Sequence, residues 1–171
     1  MQLILLSACL AGQRVRYNAA DIGSEAPLLS RWKTEGRIIP FCPEVAGGLP
    51  VPRPAAEIAG GEGRHVLQGV ARVLDTSGAD VSEAFICGAE QALAVVKAKN
   101  IRLAILKEGS PSCGSSLIYD GSFSGRRISG AGVTAERLQQ EGIRVFSELQ
   151  LDEAEAFLQH LERTRLVDQA G

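Results

Sequence analysis

Leu3-Ile4-Leu5-Leu6-Ser7 runs straight into Ala8-Cys9-Leu10-Ala11-Gly12, and the reading of this opening stretch decides the fold. A short continuous apolar run closed by a turn with glycine is the form of a strand buried on both faces, as in a parallel sheet. The competing reading is an export signal, because Leu6-Ser7-Ala8-Cys9 has the form of a lipoprotein cleavage box. An export signal needs a basic residue ahead of the apolar run, and the first one, Arg14, comes after the supposed cleavage point. The run is also about half the length of the shortest signal core. A buried first strand in a cytoplasmic chain is the expectation, and no other stretch approaches a membrane span.

Working outward, Arg37-Ile38-Ile39-Pro40-Phe41-Cys42 reads as a second strand cut short by Pro43. Ile101-Arg102-Leu103-Ala104-Ile105-Leu106 reads as a third and Ile143-Arg144-Val145-Phe146 as a fourth. Helical spacing of Leu28, Leu29 and Trp32 makes 18–35 helical in part, with Gly36 as a stop. A helix over 83–99 carries a buried stripe of Phe85, Ala89, Ala92 and Val96, with Asp80 and Glu83 as an approximate capping box. Further helices are expected near 134–141 and over 152–163, the latter with Ala154, Phe157, Leu158 and Leu161 inward and a frayed tail at 164–171. The proline- and glycine-rich segment 43–63 reads as a long loop of the functional kind. His65-Val66-Leu67 and Ala71-Arg72-Val73-Leu74 read as a small hairpin across Gly69, and 121–132 as a glycine- and serine-rich connection. Strands alternating with helices predict one α/β domain over 1–171, a Rossmann-like or flavodoxin-like parallel sheet of about four strands with helices on both faces.

Composition narrows the partners. A net charge of −2 with scattered Lys and Arg excludes the basic footprint of a duplex nucleic-acid binder. Aromatic residues at 5% argue against a base-stacking platform for long single strands. A small molecule is the expected partner, with no membrane and no obligate protein partner indicated. The four cysteines, in a reducing compartment, point to metal binding or catalysis rather than disulfides.

Position sharpens that reading. Cys9, Cys42 and Cys113 each fall just beyond the end of a different predicted strand. In an open parallel sheet those ends share one edge, where ligands bind. One cysteine so placed is an ordinary small buried residue; three are a site. Cys87, inside the helix and off its apolar stripe, is the contrast and reads as packing. Three thiolates suit a zinc ion with an open position or a four-iron cluster with one iron free of protein ligands, and ligand count does not choose between them. A soft iron–sulfide centre would favour a sulfur atom in the substrate. Glu44, two residues past Cys42, is placed as a general base, and Ser112, directly before Cys113, as a proton carrier or a group that orients the substrate. A serine hydrolase fits poorly, since there is no G-x-S-x-G and only two histidines.

The segments Ser7-Ala8-Cys9-Leu10-Ala11-Gly12, Arg16-Tyr17-Asn18, Phe41-Cys42-Pro43-Glu44, Gly47-Gly48-Leu49-Pro50, Pro52-Arg53-Pro54-Ala55-Ala56-Glu57 and Ser110-Pro111-Ser112-Cys113-Gly114 occur in the order seen in one family. On them the chain resembles the thiouracil desulfidases, formerly a domain of unknown function, in a short stand-alone form. The resemblance implies a [4Fe-4S] cluster on Cys9, Cys42 and Cys113, with its open iron binding the thiocarbonyl sulfur of a thiolated uracil. It implies that water activated by Glu44 replaces that sulfur without net electron transfer, with Ser112 assisting. It further implies substrate contacts from Asn18, Arg53, Glu57 and Ser110, with bracing of the long loop the other reading of Arg53 and Glu57. The rivals are a zinc-dependent hydrolase or deaminase on the same cysteines and a non-catalytic iron–sulfur sensor. The deaminase lacks its H-x-E and P-C-x-x-C signature here, and a sensor has no need of a base beside its ligands.

Overall fold

The computed structural model describes all residues except 21, 24, 25 and 169–171. Along the chain run β1 (Ile4–Ser7), α1 (Pro27–Thr34), β2 (Ile38–Phe41), α2 (Pro43–Ala46), β3 (Ala56–Ala59), α3 (Gly63–Leu67) and β4 (Arg72–Asp75). They are followed by α4 (Ser82–Ala98), β5 (Leu103–Leu106), β6 (Leu117–Tyr119), β7 (Arg127–Ser129), α5 (Val133–Gln140), β8 (Arg144–Ser147) and α6 (Leu151–Asp168). The four apolar runs form one parallel sheet in the order β2-β1-β5-β8, with Ile4 opposite both Ile38 and Leu103. The winding is flavodoxin-like, and the strand order reverses between β1 and β5, the place where such sheets open a crevice.

Side chains alternate across the sheet, and each face has its own helices. Leu5, Ala104 and Leu106 pack with Ala92, Leu93 and Val96 of α4 and with Ala135 and Leu138 of α5. Ile4, Leu6, Leu103 and Ile105 pack with Leu29 and Trp32 of α1 and with Ala154 and Leu158 of α6. Each Leu, Ile or Val among them contributes about 1.5–3 kcal/mol on burial. The Trp32 indole is satisfied by donating to Glu155 Oε2 at 3.0 Å. Among the described residues no helix is long and apolar enough to cross a membrane.

A third, smaller core holds Ile58, Val66, Val73, Phe85, Ile118 and Val133. Here lie the departures from the sequence reading. The segment 43–63 is not structureless, because it contains α2 and β3. Residues 65–74 do not form a hairpin: α3 occupies Gly63–Leu67, and β4 pairs antiparallel with β3 instead. Val73 opposite Ile58 gives both a buried partner, which a local hairpin would not. The stretch 121–132 contains β7, paired with β6. No capping box forms before α4, since Asp80 accepts from its neighbour Ser82 and Val81 occupies the cap. The helical part of 18–35 is α1 alone. α6 continues through Thr164 to Asp168, past the expected onset of fraying; 169–171 lie outside the described residues.

Candidate active site

Cys9 lies two residues beyond β1, in a turn whose carbonyls at Ser7 and Ala8 accept from Leu10 and Ala11. Cys42 joins β2 to α2 with extended backbone (φ −116°, ψ 108°) and caps the helix, its carbonyl accepting from Ala46 N at 3.0 Å. Pro43 at the first helical position stops the strand and starts the helix at once. Cys113 sits in the turn after β5. All three line one cavity of about 390 Å³ at the C-terminal end of the sheet, together with Glu44, Arg53, Glu57, Ser110 and Ser112.

Backbone packing fixes this arrangement. A Cβ on Gly88 of α4 would stand 2.0 Å from the Pro43 carbonyl oxygen, and one on Gly47 would stand 2.0 Å from Ala84 O. The two backbones therefore touch, and α2 presents Glu44 from a rigid seat. The 110–114 turn is held from behind by α5, whose Val133 N–H donates to Pro111 O and whose Thr134 and Ala135 N–H groups donate to Ser112 O. Three donors that a helix start leaves without intrahelical partners are satisfied by the loop they position. From the other side, the Glu108 carboxylate accepts from the backbone N–H groups of Ser115, Ser116 and Leu117 and from the hydroxyls of Ser115 and Ser116.

The polar groups form a directed chain. Arg53 donates through Nε and Nη2 to Glu44 Oε2 at 2.8 and 2.6 Å. Ser112 Oγ donates to Glu44 Oε1 at 2.9 Å. Ser110 Oγ accepts from the N–H groups of Ser112 and Cys113, which leaves its own hydrogen for Ser112 Oγ at 2.9 Å. Arg53 also donates to the carbonyls of Val15 and Pro50, which with the two bonds to Glu44 engages four of its five N–H groups. It holds Glu44 and also lines the cavity. Asn18 is exposed, outside the cavity lining, and its Oδ1 accepts from Ala20 N in a local turn.

Burial pushes the thiols of Cys9, Cys42 and Cys113 up. For Cys9 the field of Cys42 adds to burial, and for Cys42 the field of Glu44 does. Cys113 is pushed up to about 12 by burial, against the Ser7 hydroxyl that donates to its sulfur and the Ser112 hydroxyl beside it. Cys113 also lies in the field of Cys9 and Glu44. Sulfurs withdrawn from water around one cavity that also holds a carboxylate become thiolates only around a compensating positive centre. The donor set is all sulfur, soft, and backed by hydroxyls; it fits an iron–sulfur centre.

A model of the 2-thiouracil desulfurase family matches residues 4–150. The chain belongs to that family. Similar to this desulfurase-family chain is the uncharacterized protein YbbK of Bacillus subtilis strain 168, 46% identical over 151 residues, covering 88% of this chain and 99% of the relative. Among solved structures, a [4Fe-4S]-dependent thiouracil desulfidase, TudS, superposes with a TM-score of 0.85 at 47% identity, covering 93% of this chain and 99% of that one.

The cavity of this family member is also lined by residues to which the sequence reading gave no role. Ser7 ends the otherwise apolar β1, accepts from Lys107 N at 3.0 Å and donates to Cys113 Sγ at 3.5 Å. A lone hydroxyl closing a fully buried strand was the available signal. Tyr119, Phe123 and Arg127 reach the cavity from the β6–β7 hairpin, whose strands are too short to show a pattern.

Proposed function

We propose that this protein is a [4Fe-4S]-dependent desulfidase that converts a thiolated uracil and water into uracil and hydrogen sulfide. The observation that carries the reading is the Ser112–Glu44 hydrogen bond of 2.9 Å, placed in the cavity that three converging cysteines line. Cys9, Cys42 and Cys113 would hold the cluster. When bound, it supplies a soft Lewis acid whose open iron draws electron density from a thiocarbonyl through sulfur.

The chain's own groups supply the proton transfers. Glu44, fixed on one oxygen by Arg53, takes a proton from the water that attacks the ring carbon. Ser112 and Ser110 pass that proton towards the departing sulfur, and the second water proton follows when the carbonyl forms. Both protons leave with sulfide, so no electron donor or acceptor is required. A cavity of about 390 Å³ suits a small heterocycle, and a reducing cytoplasm suits four free thiols.

Among the described residues no three His, Cys, Asp or Glu side chains surround a point where a single ion would sit. A zinc ion gathers its thiolates at about 2.3 Å around one centre, whereas a cubane offers each thiolate a separate iron. The spread of the cysteines around a shared cavity thus favours the cluster over a zinc hydrolase. The test is anaerobic purification, iron analysis and incubation with thiouracil. Brown protein that releases equal amounts of uracil and sulfide without added reductant or oxidant is expected. Colourless zinc protein, a required electron donor, or a cluster with no turnover would overturn it, the last favouring a sensor.

A further inference from the structure

Glu57 is 7% exposed, a carboxylate in a position where carboxylates are rarely found without a partner. It lies in β3, where Ile58 joins the third core and Glu57 faces the cavity. Its Oε2 accepts the Phe123 N–H at 2.8 Å. Among the described residues no donor and no cation reaches Oε1, although Arg53, Arg16, Lys107 and Arg127 line the same cavity.

The geometry holds that oxygen in place. Gly121, at φ +88°, brings the tip of the β6–β7 hairpin against β3, and a Cβ there would meet Ile58 O at 2.6 Å. Phe123 adopts φ +55°, a conformation costly for an aromatic residue, and its amide is the group Glu57 holds. One carboxylate oxygen thus pins the hairpin tip while the other is left, among the described residues, as an unpaired acceptor on the cavity wall.

We propose that Glu57 Oε1 accepts a ring N–H of the thiopyrimidine and so sets specificity for the lactam form of the substrate. The inference rests on the desulfidase reading above. Uracil and its thio derivatives carry ring N–H donors in the plane of the thiocarbonyl. A thiocytosine-like ring can offer a bare nitrogen at the corresponding edge, which meets the carboxylate lone pair to lone pair. A site built to hydrogen-bond a substrate N–H rejects a ligand that lacks it, because the buried acceptor is then left unpaired.

The test uses cluster-loaded wild-type and Glu57→Gln proteins and calorimetric binding of uracil, which keeps the N–H groups and lacks the sulfur. Gln still offers an oxygen to Phe123 N–H, so the hairpin tip stays anchored while the cavity side becomes a donor. Glu57→Gln should bind uracil about ten- to a hundredfold more weakly at unchanged iron content, the range of one charge-assisted hydrogen bond. One of the two mono-N-methyl uracils should bind both proteins equally weakly, since methylation and substitution remove the same bond. A merely structural Glu57 would give the same loss for every ligand. Equal uracil binding by the two proteins, additive effects of methylation and substitution, or no measurable uracil binding by the wild type would each overturn the proposal. A wild type that binds uracil through Glu57 but releases no sulfide from thiouracil would overturn the desulfidase reading instead.

Discussion

Ser112 Oγ donates to Glu44 Oε1 at 2.9 Å across 68 positions of sequence, joining the turn after β5 to the helix after β2. The bond leaves the carboxylate with one oxygen on Arg53 and one on a hydroxyl that already receives a hydrogen from Ser110. A proton taken up by Glu44 therefore has an exit built of side chains. Glu44→Gln should keep the cluster, because the thiolates and not the carboxylate hold it. It should lower turnover by about 10²–10⁴, the typical contribution of a positioned base. Iron content and sulfide release measured on the same sample separate these effects; an intact cluster with near-parental turnover would move the role of base to another group.

Cys9, Cys42 and Cys113 line one cavity, whereas Cys87 is exposed on α4 with Gln91 Nε2 on its sulfur at 3.2 Å. Replacing any of the first three with Ala should abolish stable cluster binding, and Cys87→Ala should retain it. Visible absorption and iron analysis after anaerobic purification decide the matter. Loss of iron on changing Cys87 alone would refute the ligand set.

The sheet and its cysteines were legible because their signals are local. Ile4, Leu5 and Leu6 are buried on both faces of β1, and such a strand needs no distant partner to declare itself. β3 and β6 gave no such signal. Ala56-Glu57-Ile58-Ala59 becomes a strand by pairing with Val73 and Leu74, and Leu117-Ile118-Tyr119 buries only Ile118 fully, so neither shows a period. The Arg53–Glu44 pair was equally hidden, since both residues sit in a proline-rich segment whose path depends on glycine contacts with α4. Candidate ligands could be read from the strand ends; which side chains hold one another required the fold.

Gly88 tests the contact that seats Glu44. Its missing Cβ leaves room for the Pro43 carbonyl, and Gly47 at the end of α2 does the same for the Ala84 carbonyl. Gly88→Ala offers no flexible side chain that can yield, only backbone. Overpacking of this kind costs about 1–3 kcal/mol, and any relief must come from lifting α2. A lower unfolding midpoint together with faster cluster loss is expected. Cluster retention equal to the parent's would mean that α2 is less constrained than its contacts imply.

Glu108 gives the fold a definite response to acid. Burial raises its carboxyl, but donors from Leu117, Ser116 and Ser115 outweigh that and leave it below the ordinary glutamate value of 4.5. A carboxylate depressed in the folded state contributes stability that is fully present above its unfolded pKa and is lost as pH falls through the folded one. Glu108→Gln removes the charge but keeps an acceptor, so at neutral pH it should be less stable than the parent. As pH falls below about 4.5 the parent should lose this contribution and the variant should not. The gap between their urea midpoints should therefore narrow from pH 6 towards pH 3. The same comparison reports on the cavity, because Glu108 ties down Ser115, Ser116 and Leu117 just beyond Cys113. A gap that stays constant or widens on acidification would show that the Glu108 charge does not organise this turn.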